Sequence, residues 1–327
     1  VEVQRLASLD LKYARSPVWD KVNDRLHFAD VLGEKVLSFS PATSVCQSID
    51  MNEYVGCVSL YQKDRVFAIG SEKVYQLIFN DNLVERVPLH CAILPPLDCM
   101  QIRQGDEIFI QVPDGLNFVE AKNDPEGRLW LANVYESEKE PMFPCNPIGK
   151  LFCIRPPDGW ANEDNLDGLV HQYGPNMVLK EKLVGVHGCR GIDFWESPTA
   201  AESDTRHLLI LNSSARALHS YVVFKNNATI LEDSERILLR FGSEGGQDML
   251  PVCFCVDGEG KAWVAFENSG KIVRYDLESG EALQEVELPT KRATGMTFGG
   301  ESMEDLYVTV SMSTVNTSQA GGGGGGG

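Results

Sequence analysis

The chain has 327 residues, 43% of them hydrophobic, enough to build a core and to exclude global disorder. Its 29 basic and 47 acidic residues leave a formal net charge of −18. Such a field repels phosphate backbones and anionic lipid, so nucleic acid and membrane surfaces are excluded as expected partners, and no run approaches the roughly 18 apolar residues of a membrane span.

Helix-period patterns are scarce. Short apolar alternations separated by Gly, Asp, Asn and Pro turns predict an all-β protein. Val3 to Leu11 reads as a strand that completes the last sheet of a ring. Asp24-Arg25-Leu26-His27-Phe28-Ala29-Asp30, then Lys35-Val36-Leu37-Ser38-Phe39, is the first full unit: a turn, a strand with an aromatic, a second turn and another strand. Asp64-Arg65-Val66-Phe67-Ala68 with Lys73-Val74-Tyr75-Gln76-Leu77 repeats it. Pro88 to Pro113 departs from the plan and is expected to decorate a rim. The third copy, Asp124-Pro125-Glu126-Gly127-Arg128-Leu129-Trp130-Leu131-Ala132, leads to Gly149-Lys150-Leu151-Phe152. Asp158 to Gly174 and Ser197 to Thr205 read as surface insertions around a fourth copy, His207-Leu208-Leu209-Ile210-Leu211. The fifth, Asp257-Gly258-Glu259-Gly260-Lys261-Ala262-Trp263-Val264-Ala265, matches the third closely, and Glu304-Asp305-Leu306-Tyr307-Val308-Thr309 is the sixth. The anchors Phe28, Phe67, Trp130, Leu209, Trp263 and Tyr307 have a mean spacing of about 56 residues, which predicts a single six-bladed β-propeller over residues 1–318. Residues 319–327, with the glycine run Gly321 to Gly327, form a tail with no side chains to pack.

Nine cysteines show no zinc-like paired spacing. Cys253 and Cys255 alternate as buried thiols of a strand, and Cys91 with Cys99, or Cys145 with Cys153, would close short loops in an oxidising setting. Sequons stand at Asn212-Ser213-Ser214, Asn227-Ala228-Thr229 and Asn316-Thr317-Ser318. With the absence of a starting methionine they point to a secreted glycoprotein, with the cytoplasm as the alternative. A homo-oligomer is left open.

Several motifs resemble one family. Ser16-Pro17-Val18-Trp19-Asp20, then Phe118 and Lys122 with Asp124-Pro125-x-Gly127-Arg128, then Gly191-Ile192-Asp193-Phe194, Pro251-x-x-x-Cys255-Val256-Asp257 and Phe298-Gly299-Gly300 resemble, in order, the motifs of the regucalcin, senescence-marker-protein and gluconolactonase propellers. The resemblance implies a lactone-hydrolysing fold with one divalent cation held at the channel mouth by three side-chain oxygens. Matched residue by residue, those positions are Arg15, Arg190 and Val252 here, the substrate-contacting Arg and Asn of the family fall on Asn117 and Val119, and its Asp-Gly pair is Glu120-Ala121. A hard cation needs oxygen ligands, which guanidinium and isopropyl groups lack.

The expectation is therefore a metal-free pseudoenzyme with no catalytic residues. Arg15, Asn117, Val119, Arg190 and Val252 would line a pocket for an apolar, oxygen-tipped small molecule: a carotenoid or other pigment chromophore, a lipid acid or a luciferin-like aromatic. Arg15 and Arg190 have a plainer reading, surface ion pairs with acids such as Glu120. The six histidines show no metal spacing, and His187 stands near Arg190. Ser213, Ser214 and His219 make no recognisable triad. A retained metal-dependent lactonase or esterase, and a protein-interaction scaffold, are the alternatives.

Overall fold

The computed structural model describes residues 3–6, 9–61, 65–70, 74–79, 84–89, 92–93, 101–104, 107–110, 116–135, 149–155, 178–184, 186, 188–197, 203–242 and 250–311. The first blade is β1 (Ala14–Asp20), β2 (Arg25–Asp30), β3 (Lys35–Ser40) and β4 (Val45–Asp50); the second is β5 (Val55–Tyr61), β6 (Arg65–Gly70), β7 (Val74–Phe79) and β8 (Val84–Leu89). The segment expected to decorate a rim carries β9 (Ala92–Ile93) and a separate hairpin, β10 (Gln101–Gln104) with β11 (Glu107–Ile110). The third blade is β12 (Leu116–Asn123), β13 (Leu129–Tyr135), β14 (Lys150–Arg155) and β15 (Val178–Val184), with β9 added in parallel at its edge. The fourth is β16 (Cys189–Trp195), β17 (Thr205–Asn212), β18 (Ala217–Phe224) and β19 (Arg236–Arg240). The fifth is β20 (Pro251–Val256), β21 (Ala262–Phe266), β22 (Lys271–Tyr275) and β23 (Ala282–Glu287), and the sixth contains β24 (Ala293–Gly299) and β25 (Asp305–Val310).

Within each blade the neighbouring strands are antiparallel, as short turns require. All six sequence anchors fall on the second strand of a blade: Phe28 on β2, Phe67 on β6, Trp130 on β13, Leu209 on β17, Trp263 on β21 and Tyr307 on β25. The first strands pack in a closed ring, β1 on β5, β5 on β12, β12 on β16, β16 on β20, β20 on β24 and β24 on β1. The architecture is a six-bladed propeller, and its apolar clusters sit between successive blades. Val36 and Val58 share one such cluster, and Leu209 and Val264 another.

The ring closes differently from the expectation. The described residues between Val3 and Leu11 form no strand. Leu9 and Leu11 instead pack on the cluster of Trp19, Phe28 and Tyr307, while the Asp30 carboxylate accepts hydrogen bonds from Lys12 N and Tyr13 N. These contacts pull the segment onto the first blade. Blades six and one then meet directly, through the stacked rings of Trp19 and Tyr307 (5.0 Å between centroids) and a hydrogen bond from Thr294 Oγ1 to Ala14 O.

The cysteine expectations also divide. Cys253 and Cys255 are buried free thiols on β20. Cys153, offered as a loop-closing partner of Cys145, is buried on β14, opposite Trp130 and in the core. Cys91, Cys99, Cys145, Trp160, His187, the Asn316 sequon and the glycine tail lie outside the described residues.

The inner strands approach closely where β5 meets β12. A Cβ placed on Gly56 would lie 1.7 Å from the Phe118 carbonyl oxygen, a backbone atom that cannot swing aside. Gly56→Ala is expected to cost roughly 1–3 kcal/mol, the usual range for overpacking a tight interior. Urea unfolding measures it; a variant as stable as the parent would show that the two strands separate freely.

Candidate functional site

Each inner strand carries a register irregularity near its start. The shifts lie between Arg15 and Val18, Val55 and Cys57, Phe118 and Glu120, Cys189 and Ile192, Pro251 and Cys253, and Ala293 and Gly295. A bulge bends its strand and re-aims the side chains beside it. Six bulges at equivalent positions form the mouth of the central channel.

At this mouth lies a cavity of about 230 Å³, with every inner strand contributing to its wall. Its polar wall includes Ser16, Ser59, Glu120, Lys122, Arg190 and Thr294, and its apolar wall includes Val18, Val58, Ile192, Phe254 and Met296. Most of the charge is already neutralised. The Arg15 guanidinium donates to Glu120 Oε1 at 2.5 Å, with the two side chains 7% and 15% exposed. This pair joins the first blade to the third across the start of β5. Burial opposes the charge on Arg15, but Glu120, together with Tyr13 and Tyr54, raises the pKa overall. Lys122 Nζ lies 3.1 Å from Asp193 Oδ1, linking β12 to β16. Burial opposes this charge too, and Asp193, with Cys255 and Glu120, holds the ammonium above its usual pKa. Asp193 also accepts from Phe194 N and, through Oδ2, from Val256 N on β20.

Neutral bonds continue around the ring. Ser16 Oγ donates to Val58 O and accepts from Val58 N, and Ser59 Oγ donates to Asn123 Oδ1. Burial, reinforced by Glu120, raises the pKa of Cys57, Cys189 and Cys253, that of Cys189 to about 12. Among the described residues, no group of three or more His, Cys, Asp or Glu side chains is placed to hold a metal ion.

The five residues singled out from the sequence are spread over this geometry. Arg190 is exposed and lines the cavity from the bulge of β16. It makes no hydrogen bond or ion pair with the described residues. Arg15 flanks the bulge of β1, but its guanidinium is turned to Glu120, the plainer of its two sequence readings. Val119 is the bulged residue of β12 and is buried; Val252 is the bulged residue of β20 and packs on the apolar cluster of Cys253 and Met296. Neither valine is part of the cavity wall. Asn117 pairs with Val134 in the β12–β13 ladder, and its side chain lies outside the described residues. Sequence reasoning gave no role to Lys122 and Asp193, although both stand in the quoted motifs, because their convergence depends on the β12–β16 contact.

The sequence model of the SMP-30/gluconolactonase/LRE-like region matches residues 13–176 and 198–312, most of the propeller. The chain belongs to this family. Relatives of this SMP-30/gluconolactonase/LRE-like chain include regucalcin of Xenopus laevis, 25% identical over 310 residues that cover 94% of this chain and 86% of the relative. Regucalcin of Oryctolagus cuniculus is 25% identical over 294 residues, covering 90% and 81%. Among solved structures, a luciferin-regenerating enzyme superposes with a TM-score of 0.69 at 18% identity, covering 95% of this chain and 89% of that one. A calcium-binding protein, regucalcin from Agrobacterium tumefaciens, gives 0.67 at 13% identity, covering 95% and 86%. These likenesses support the six-bladed fold.

Proposed function

We propose that this family member is a non-catalytic binding protein whose channel holds a small organic molecule with an apolar body and an oxygen-bearing, anionic tip. The observation that carries the reading is the charge pattern of the wall: Arg15 is matched by Glu120 and Lys122 by Asp193, while Arg190 lines the cavity with no partner among the described residues. A guanidinium fork suits a carboxylate, and Val18, Val58, Ile192, Phe254 and Met296 suit an apolar body. The volume narrows the ligand class. At about 230 Å³ the cavity lies below the roughly 300–1,000 Å³ of most ligand pockets. A compact aromatic acid fits it better than the carotenoid or lipid tail the sequence also suggested.

The donor set does not fit the family's divalent cation. The Glu120 carboxylate is committed to Arg15, Asp193 is committed to Lys122 and two backbone amides, and Arg190 adds positive charge at the mouth. Family membership alone favours the second reading, metal-dependent lactone hydrolysis, and gluconolactonase is among the family's named activities.

Titration calorimetry with benzoate-type carboxylates and their methyl esters separates the readings. The acids are expected to bind and the esters to bind more weakly. Arg190→Ala is expected to cost about 1.5–3 kcal/mol, the range for a hydrogen bond to a charged group, or roughly tenfold or more in affinity. Gluconolactone turnover that is lost with chelator and restored by calcium or zinc would overturn the proposal in favour of the hydrolase.

A further inference from the structure

The fold treats the two described sequons differently. Asn212 ends β17, directly opposite Cys189 at the start of β16, so it stands at the mouth end of the fourth blade. It is half-buried, and its Oδ1 accepts from Ala215 N, one residue beyond the sequon. Ser213 is buried, and its N donates to Gly188 O. A glycan here would crowd the rim beside Arg190.

Asn227 lies at the opposite end. β18 runs from Ala217, paired with Asn212, to Phe224, paired with Thr205, and the chain then turns through Asn227. Phe224 N donates to Thr229 O, Ala228 N donates to Phe224 O and Lys225 N donates to Asp204 O, so the turn is rigidly built. Ala228 is buried with φ of 56° and pins the turn, leaving Asn227 and Thr229 exposed on either side. Asn227 Oδ1 accepts from Thr229 N at 2.9 Å, an Asx turn that brings the acceptor amide and the sequon hydroxyl residue together.

From this contrast we infer that Asn227 is the N-glycosylation site of the folded domain when the chain passes through a eukaryotic secretory pathway, and that Asn212 is not modified. In the transfer, Asn227 Nδ2 forms a bond to the anomeric carbon of a lipid-diphosphate-linked oligosaccharide. The bond from that carbon to the diphosphate oxygen breaks, the diphosphate leaves with the electron pair, and Nδ2 gives up one proton. The glycan then projects from the face away from the channel mouth and leaves Arg190 accessible.

The test is site mapping on the full chain secreted from a eukaryotic host. Glycan release by an amidase in heavy-oxygen water converts each occupied Asn to a labelled Asp. Label is expected at Asn227 and absent from Asn212. Thr229→Ala, which keeps Asn227 and alters an exposed side chain, is expected to abolish the label, while Asn227→Gln keeps the parent's melting temperature. Recovery of unmodified Asn227 from secreted protein, or label at Asn212 to the same extent, overturns the inference.

Discussion

Glu120→Ala is expected to destabilise the propeller by about 3–5 kcal/mol, the range for removing one partner of a buried ion pair. The variant strands the Arg15 guanidinium, which is 7% exposed and enclosed by the starts of three inner strands. Two buried unit charges at contact distance attract by only about 4 kcal/mol at an effective dielectric of 20, which does not exceed the several kcal/mol that desolvating each ion costs. The loss on truncation therefore reports the orphaned charge more than the worth of the pair. Replacing both partners together, as in Arg15→Met with Glu120→Leu, is accordingly expected to recover most of the stability. Urea unfolding of the two single variants and the double variant measures the cycle. If Glu120→Ala unfolds within about 1 kcal/mol of the parent, the bound typical of exposed pairs, solvent already screens Arg15 and this end of the channel is wetter than the geometry implies.

This pair also marks where sequence reading stops. The blades were legible because each repeats a local device: an Asp-initiated turn, then a strand carrying a large core residue. Phe28, Phe67, Trp130, Leu209, Trp263 and Tyr307 all sit on second strands for that reason. Local pattern failed at the N-terminal segment, where Leu9 and Leu11 alternate like a strand but are held against Trp19 and Tyr307. The site was half legible. Arg15, Val119, Arg190 and Val252, singled out by motif order, lie at or beside the bulges of four different inner strands. A bulge, however, decides side-chain direction residue by residue, and it sends Arg190 into the cavity wall while Arg15 turns to Glu120 and the two valines turn to protein. Neither hydropathy nor spacing encodes that choice.

The matched turns of the third and fifth blades provide the second large effect, as a ranking. In the third, Asp124 accepts from Arg128 N and Arg128 Nε and from Trp130 Nε1. In the fifth, Asp257 accepts from Lys261 N, Trp263 Nε1 and Arg274 Nε. The carboxylates do the same work with different cations, because the position after the turn glycine is Arg128 in one and Lys261 in the other, and Lys261 is drawn away to Asp276. What separates them is depth. Asp124 and Arg128 side chains are 1% and 7% exposed, whereas Asp257 and Arg274 are 10% and 19% exposed; each Arg has a second carboxylate, Glu126 for Arg128 at 35% exposure and Glu259 for Arg274 at 76%. Asp124→Ala is therefore expected to cost about 3–5 kcal/mol, since it leaves the buried Arg128 Nε and the Trp130 donor unpaired together, with only the half-buried Glu126 left to Arg128. Asp257→Ala is expected to cost about 1–3 kcal/mol, the price of donors that water and Glu259 partly satisfy. Denaturant midpoints of the two variants decide the order. Equal losses, or a larger loss at Asp257, would mean that the turn's backbone geometry and not the buried charge sets the stability of each blade.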